Sequence, residues 1–240
     1  GAPGYRAKQV TDWLYKKRID SFEAMTDLPA AIRAQLASEF SFVGPELVRV
    51  PGSKDTTRKF LFRLADDNLI ESVLIPASPA LSGETSDRRT ACVSTQVGCA
   101  YGCKFCASGL DGFSRNLDAS EIVNQLLAIE KESGEKIDNV VFMGMGEPLA
   151  NLTNLLAAVR IINAPWGLEI GARHITISTS GLAPQIRKLA EEPTQFRLAI
   201  SLHGATDEVR DQIMPVNRKY PLATLLDACA AYVAQKKRLM

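Results

Sequence analysis

Three of the five cysteines lie within the stretch "GCAYGCKFC", residues 98–106. The spacing Cys-x-x-x-Cys-x-x-Cys lets one loop supply three thiolates, from Cys99, Cys103 and Cys106, to a single centre. An ordinary iron–sulfur cubane takes four cysteines, so three leave one iron open to a small molecule. The spacing therefore predicts a 4Fe–4S cluster whose open iron binds S-adenosylmethionine, because the amino and carboxylate groups of that molecule can chelate the iron.

Zinc is the alternative metal for these thiols. Zinc sites usually draw on two paired motifs, and the sequence contains no second Cys-x-x-Cys. A zinc site would need Cys92 or a histidine as its fourth ligand. Cys92 is otherwise either a small buried hydrophobe or a thiol within reach of the cluster. Cys229 falls on an Ala-rich helical pattern, where core packing is the expected role.

Three further motifs carry residues that can contact a ligand. In "GMGEP", Gly144 and Gly146 allow close approach of the backbone, and Glu147 can accept a hydrogen bond from an ammonium group. In "STSG", Ser178 can donate to a carboxylate or a ribose, or cap a helix. In "SLHG", His203 can contact an adenosine or stabilise its own loop.

Alternating strand and helix patterns position all four motifs. From residue 91 onward, four strand-like runs are each followed by an amphipathic helical pattern. Such alternation requires parallel strands with crossover helices, and hence an α/β open sheet or a partial (βα) barrel. Each motif stands just past the carboxyl end of a strand, where ligands bind in parallel α/β folds. We therefore expect the four motifs to converge.

The preceding residues form two smaller predicted units. Residues 1–45 read as a helical domain, and residues 46–90 as a β-hairpin ("TRKFLFRL", "ADDN", "LIESVLIP") with a polar loop, before the core of residues 91–240. Glu71 lies in the second hairpin strand, whose two faces are both mostly apolar. It is either a partly desolvated general base or an exposed acid on an edge strand.

Composition excludes several classes of protein. The chain of 240 residues has 28 Lys and Arg against 27 Asp and Glu, so net charge does not indicate a nucleic-acid partner. No apolar run is long enough to span a membrane. Five cysteines, three of them clustered, argue against a secreted disulfide framework. These features predict a cytoplasmic protein.

The assembled motifs resemble those of the RlmN-type radical S-adenosylmethionine RNA methyltransferases. The resemblance covers nearly the whole chain, from "YRAKQVTDWLYKK" and "ESVLIP" through "CVSTQVGCAYGCKFCASG" and "NVVFMGMGEPLANL" to "LAISLHGATDEVRDQIMPVNRKY". It implies a partial parallel barrel of the radical SAM type. It also implies methylation of carbon 2 of adenine in 23S rRNA and tRNA. The enzyme would be a monomer and would receive electrons from a donor such as flavodoxin.

The resemblance assigns a role to each candidate residue. Glu71 matches the proton-accepting base and Cys92 an essential thiol that resolves a protein–RNA bond by forming a disulfide bond. The family's methyl-carrying cysteine belongs to a C-terminal segment that we expect to be missing here, with the last barrel strands. Cluster ligands are Cys99, Cys103 and Cys106; cofactor-binding positions are Gly146, Glu147, Ser178, Ser201, Leu202 and His203.

Two other functions stay open on the sequence. A close relative of this family methylates carbon 8 of the same adenine and shares most of the motifs. A non-enzymatic iron–sulfur or zinc protein that binds RNA is the alternative from another class. The basic helix near residues 6–18, which includes Lys16, Lys17 and Arg18, would supply its phosphate contacts.

Overall fold

The computed structural model describes residues 3–51, 57–77, 87–193 and 195–237; most of the predicted polar loop lies outside these ranges. The strands are β1 (Glu46–Arg49), β2 (Arg58–Arg63), β3 (Leu69–Pro76), β4 (Arg89–Cys92), β5 (Gln96–Gly98), β6 (Phe113–Asn116), β7 (Asn139–Phe142), β8 (Ile175–Thr179) and β9 (Arg197–Ile200). The α-helices are α1 (Gly4–Thr11), α2 (Ala30–Glu39), α3 (Ala119–Ser133), α4 (Leu152–Asn163), α5 (Ala183–Glu191), α6 (Asp207–Ile213) and α7 (Leu222–Lys236).

A seven-stranded sheet in the order β1-β2-β3-β4-β7-β8-β9 forms the centre of the fold. Strands β4, β7, β8 and β9 are parallel, as predicted, because each is connected to the next through a helix. The predicted hairpin of β2 and β3 is antiparallel and joins the same sheet by pairing with β4. The structure thus confirms the mixed α/β fold with a parallel sheet.

Helix α3 shows how the sequence defines a crossover helix. Asp118 and Glu121 form a capping box at its start, and Gly134, with a φ of 70°, ends it in the left-handed conformation. Apolar residues at helical spacing cover the sheet and are almost completely buried. These residues are Ile122, Val123, Leu126 and Ile129.

The opposite face of the sheet holds candidate site residues from three strands. Cys92 pairs in register with Val73 of β3 and with Val141 of β7, so all three share a face. Strand alternation adds Glu71, two residues before Val73, and Ser178, two residues beyond the β8 partner of Val141. Register therefore places Glu71, Cys92 and Ser178 on one sheet face, which we call the open face.

The run "ACVSTQV", predicted as one strand, is divided in the structure. β4 ends at Cys92, and β5 begins a separate two-stranded sheet with β6. The amide of Ser94 donates to the Gln125 side chain and that of Thr95 to the carbonyl of Met145. These donors leave the strand ladder, so the chain turns there and starts the β5–β6 hairpin.

The N-terminal residues build a small core of their own. Phe22, Met25 and Leu28 are buried in it, and the predicted helical stripe that includes Trp13 packs against them. The expected basic surface is largely used inside the protein. Lys16 pairs with Asp12 and Glu169, and Arg18 pairs with Glu130 of α3. No helix in the described ranges is long and apolar enough to cross a membrane.

Candidate active site

The three clustered cysteines lie in the loop of the β5–β6 hairpin, residues 99–112, which we call the thiol loop. Its base is closed by the amide of Cys99, which donates to the carbonyl of Gly112 at 2.8 Å. Gly98 has a φ of 71°, and a Cβ there would lie 2.0 Å from the same carbonyl oxygen. Glycine is therefore required for the hairpin to close.

The thiols of this loop are free and partly exposed. Burial raises the pKa of Cys99, and burial with the nearby charges of Cys99 and Cys106 raises the pKa of Cys103 to about 11. Three thiols on one loop suit an iron–sulfur cluster, because each cysteine sulfur binds a separate iron of the cluster. In the described ranges, no three His, Cys, Asp or Glu side chains form a group that could hold a metal ion.

The predicted disulfide bond receives no support. All five cysteines lie in the described ranges and all are free thiols. Cys92 is buried at the end of β4, and burial raises the pKa of its thiol while a backbone hydrogen bond from Met143 opposes the rise. Cys229 is buried on α7 within the main core, where the sequence placed it.

Glu147 is buried and its carboxylate already has partners within the protein. Oε2 accepts hydrogen bonds from the amide and hydroxyl of Ser180, both at 2.7 Å, and Oε1 accepts from the amide of Leu149. Burial raises the pKa of Glu147, and these hydrogen bonds oppose the rise. The side chain thus links the loop after β7 to the loop after β8.

The glycines of "GMGEP" serve close packing of the chain on itself. Gly146 has a φ of 95°, and a Cβ there would lie 2.5 Å from the side chain of Gln96. A Cβ on Gly144 would lie 2.7 Å from the backbone of Val93. Gln96 in turn accepts from the amide of Glu147 at 2.8 Å. In the structure, the two glycines therefore allow close approach of the loop after β7 to residues 93–96, the segment that leads into the thiol loop.

The end of β8 lies beside the loop after β9, and the loop after β9 meets the thiol loop. Ser178 Oγ lies 3.1 Å from Ser201 Oγ, which joins the ends of the two strands. His203 has a φ of 53°, and its ring packs against Phe105 of the thiol loop with centroids 4.3 Å apart. Leu202 is exposed beside them. The structure thus brings the predicted residues of three loops to one edge of the sheet.

Glu71 lies on the open face but is not desolvated. Its side chain is 43% exposed, and its Oε1 lies 2.5 Å from Lys59 Nζ on the neighbouring strand β2. Its backbone is fixed to the site by Ser94, whose hydroxyl donates to the Glu71 carbonyl and accepts from the amide of Met145. Glu71 is therefore exposed, as one alternative held, but the prediction of an edge strand was wrong, because β3 pairs with β2 on one side and β4 on the other. The sequence did not predict the ion pair with Lys59.

Sequence reasoning missed the buried polar residues that hold these loops. Arg210 on α6 is completely buried and donates to the backbone of the loops after β8 and β9. Gln125 on α3 is also buried and binds Ser72 and both backbone groups of Ser94. A polar residue on an amphipathic helix is ordinarily exposed, so the pattern gave no signal for either.

A three-cysteine loop, a glycine-rich Glu-Pro turn and two serine loops lie together near the carboxyl ends of the parallel strands. This arrangement is typical of a radical SAM protein. The radical SAM superfamily model matches residues 93–238, and the "Ribosomal RNA large subunit methyltransferase N-terminal domain" model matches residues 1–41. The chain belongs to the RlmN family of radical SAM proteins.

Individual relatives agree with this assignment. A "Probable dual-specificity RNA methyltransferase RlmN" of Akkermansia muciniphila is 58% identical over 95% of this chain and 64% of its own length. "Probable dual-specificity RNA methyltransferase RlmN 3" of Opitutus terrae is 51% identical over the whole chain and 67% of its own length. The crystal structure of a radical SAM methyltransferase from Sphaerobacter thermophilus is 44% identical, with a TM-score of 0.89 over 99% of this chain and 69% of that one. The chain thus spans about two thirds of the length of these relatives.

Proposed function

We propose that this chain is the cluster- and cofactor-binding part of an RNA methyltransferase that acts on carbon 2 of adenine in 23S rRNA and tRNA. The observation that carries the proposal is the chain of contacts that groups the thiol loop with the loops after β9, β8 and β7: Phe105 packs on His203, Ser201 lies beside Ser178, and Ser180 donates to Glu147. The open face of the same sheet presents Glu71 and Cys92. Family membership and the relatives' names support RNA as the substrate.

In this proposal each loop has a distinct role. The cysteines of the thiol loop hold a 4Fe–4S cluster, which with S-adenosylmethionine supplies radical chemistry when bound. Such chemistry suits carbon 2, whose unactivated C–H bond resists polar methylation. The cofactor contacts come from the backbone of residues 146–147 and from Ser178, Ser201, Leu202 and His203. Because the Glu147 carboxylate is already bonded within the protein, its contribution is to hold that backbone.

Glu71 and Cys92 act on the RNA rather than on the cofactor. Glu71 accepts the ring proton of the adenine at its carboxylate, which lies beside Lys59 on the neighbouring strand. Cys92 is the thiol that releases the RNA: its sulfur bonds to the sulfur of the family's methyl-carrying cysteine, the bond from that sulfur to the methyl carbon breaks, and the carbon left on the RNA takes up the proton. Burial raises the pKa of the Cys92 thiol. The two side chains share the open face, as sequential action on one base requires.

Partners and organisation follow from the same proposal. We expect an electron donor such as flavodoxin, a monomer and a cytoplasmic location, where the RNA substrates are. The division into residues 1–45, 46–90 and 91–240 stays a prediction. With Lys16 and Arg18 engaged in ion pairs, the N-terminal helix offers fewer free cations to RNA than its sequence indicated.

The deciding experiment is anaerobic reconstitution followed by reduction in the presence of S-adenosylmethionine. We expect a brown, oxygen-sensitive protein with about four irons per chain that forms 5′-deoxyadenosine. A protein that binds iron and RNA but forms no 5′-deoxyadenosine would favour the non-enzymatic alternative. Mass spectrometry of adenines from cells expressing the protein in its natural length then separates carbon 2 from carbon 8.

A further inference from the structure

Arg210 occupies an unusual position for an arginine on a short surface helix. It lies on α6, and no part of its side chain is exposed. Its guanidinium donates to the carbonyl oxygens of Leu202, of Ser201 at 3.4 Å and of Ser180 at 3.0 Å. One buried cation therefore binds the loop after β8 (residues 180–182) and the loop after β9 (residues 201–204), which we call the braced loops.

The guanidinium is itself held in place. Its Nε donates to Oδ1 of Asn217 at 2.7 Å, and the Asn217 amide donates to Asp207 and to Asp211, both at 2.8 Å. Asn217 is buried as well. Gly181 has a φ of 122°, and a Cβ there would lie 3.1 Å from the Leu225 side chain and 3.4 Å from the guanidinium. The cation is thus oriented from one side and aimed at backbone carbonyls on the other.

The held carbonyls border the most unusual backbone of the site. His203, directly after Leu202, is a non-glycine residue with a φ of 53°, which is a strained conformation. That conformation turns its ring onto Phe105 of the thiol loop. The end of α6 also contacts the thiol loop, since the amide of Lys104 donates to the carbonyl of Ile213 at 2.9 Å. Helix α6 therefore contacts all three loops that form the site.

We propose that Arg210, oriented by Asn217, is a positioning residue that sets the geometry of the braced loops and thereby the affinity for S-adenosylmethionine. The proposal rests on the proposed function for the meaning of that affinity. Arg210 does not contact the reacting atoms, and it acts through Ser201, Leu202 and His203. A lysine cannot replace it, because a single ammonium nitrogen cannot reach Asn217 and both loops together.

The test compares R210K with R187K, a matched change at the exposed ion pair of Arg187 with Asp227 on α5 and α7. Hydrogen–deuterium exchange on the cofactor-free protein reports the loops directly. The amides of Ser201 and Gly204 are bonded to Thr179 and Leu202, and we expect R210K to speed their exchange about tenfold or more. R187K is expected to leave both amides at the wild-type rate.

Binding of S-adenosylmethionine to the anaerobically reconstituted proteins gives the second readout. We expect R210K to raise the dissociation constant about tenfold or more at unchanged iron content per chain, with R187K at the wild-type value. N217L keeps the arginine and removes its orienting acceptor, together with the Asn217 contacts to Asp207 and Asp211, so it is expected to shift both measurements in the same direction by about threefold. N217L also carries the test if R210K does not fold.

Wild-type exchange rates for the Ser201 and Gly204 amides in R210K, or in N217L where R210K does not fold, would overturn the proposal. Faster exchange with an unchanged dissociation constant would overturn its second half. A wild-type protein that takes up iron but does not bind S-adenosylmethionine would instead contradict the proposed function, while the exchange experiment still decides the role of Arg210.

Discussion

The thiol loop and the braced loops contribute to the same site but are stabilised differently. The braced loops are tied to buried groups, since their backbone carbonyls accept from Arg210 and the amide and hydroxyl of Ser180 donate to Glu147. The thiol loop is fixed at its base by Cys99 and at Lys104, and its three cysteines stay partly exposed and without disulfide partners. The braced loops are held by hydrogen bonds within the protein, whereas the thiol loop presents three candidate metal ligands.

On the proposed function, this difference follows from what each half would bind. S-adenosylmethionine is recognised by hydrogen bonds, which gain most when donors and acceptors are held before binding. Cluster sulfurs bind iron strongly enough to order their own loop, as metal binding commonly does in proteins. The buried polar groups are therefore found at the loops after β7, β8 and β9.

The largest expected effect separates the thiols by location. C99A, C103A and C106A are each expected to abolish cluster binding, because two thiolates cannot hold a cubane that already has one open iron. C229A, a buried cysteine on α7, is expected to retain the wild-type iron and sulfide content. Iron and sulfide assays after anaerobic reconstitution measure both. A colourless C229A protein would contradict the division between ligand and core cysteines.

Two glycines test how tightly the turn after β7 is packed. Gly146 and Gly134 both have positive φ angles, but only at Gly146 would a Cβ collide with another side chain, that of Gln96. We expect G146A to lower the free energy of unfolding by about 3 kcal/mol, from strain and overpacking together, and G134A by about 1 kcal/mol from strain alone. Urea denaturation measures both. Equal losses would mean that the turn after β7 is not tightly constrained.

Gln125 tests whether the constraint extends to the helix layer. Q125A removes the partners of Ser72 and of both backbone groups of Ser94, so we expect a loss on the order of 3 kcal/mol in the free energy of unfolding. Q35A removes an exposed contact with Glu39 and is expected to cost less than about 0.5 kcal/mol. Thermal or urea unfolding of the two variants distinguishes the buried network from a surface pair.

The smallest expected effect is a pH dependence from Glu147. Its pKa is raised by burial in the folded protein, so above the unfolded-state pKa of about 4.3 the unfolded chain releases this proton first. The contribution of Glu147 to stability therefore falls as pH rises through the window up to its folded pKa. E147Q lacks this proton. We expect the unfolding free energy of wild type minus that of E147Q to decrease with rising pH.

A difference between wild type and E147Q that stays constant from about pH 4 to pH 8 would contradict the buried, proton-retaining carboxyl. A difference that rises with pH would mean that the hydrogen bonds from Ser180 and Leu149 outweigh burial. Either result would mean that the Glu147 carboxyl is ionised in the folded protein at neutral pH.

Local patterns predicted much of the site because they depend on chain neighbours. The alternation around Glu71 spans a few neighbouring residues, and so does the cysteine spacing. The break after Cys92 was not predicted, because it depends on Gln125 and Met145, which come from other segments. Sequence alone cannot show that an amide will leave its ladder for a distant acceptor.

The sequence by itself determined the alternation of the four parallel strands with helices, the loop of three thiols and the placement of the other three motifs at strand ends, since periodicity and spacing are properties of the chain. Tertiary structure alone decided which polar groups are buried. Glu147 turned inward to Ser180, Glu71 paired with Lys59, and Arg210 was enclosed between two loops. Burial depends on which surfaces meet when the helices pack on the sheet, and a charged residue is stable there only when those surfaces supply its partners.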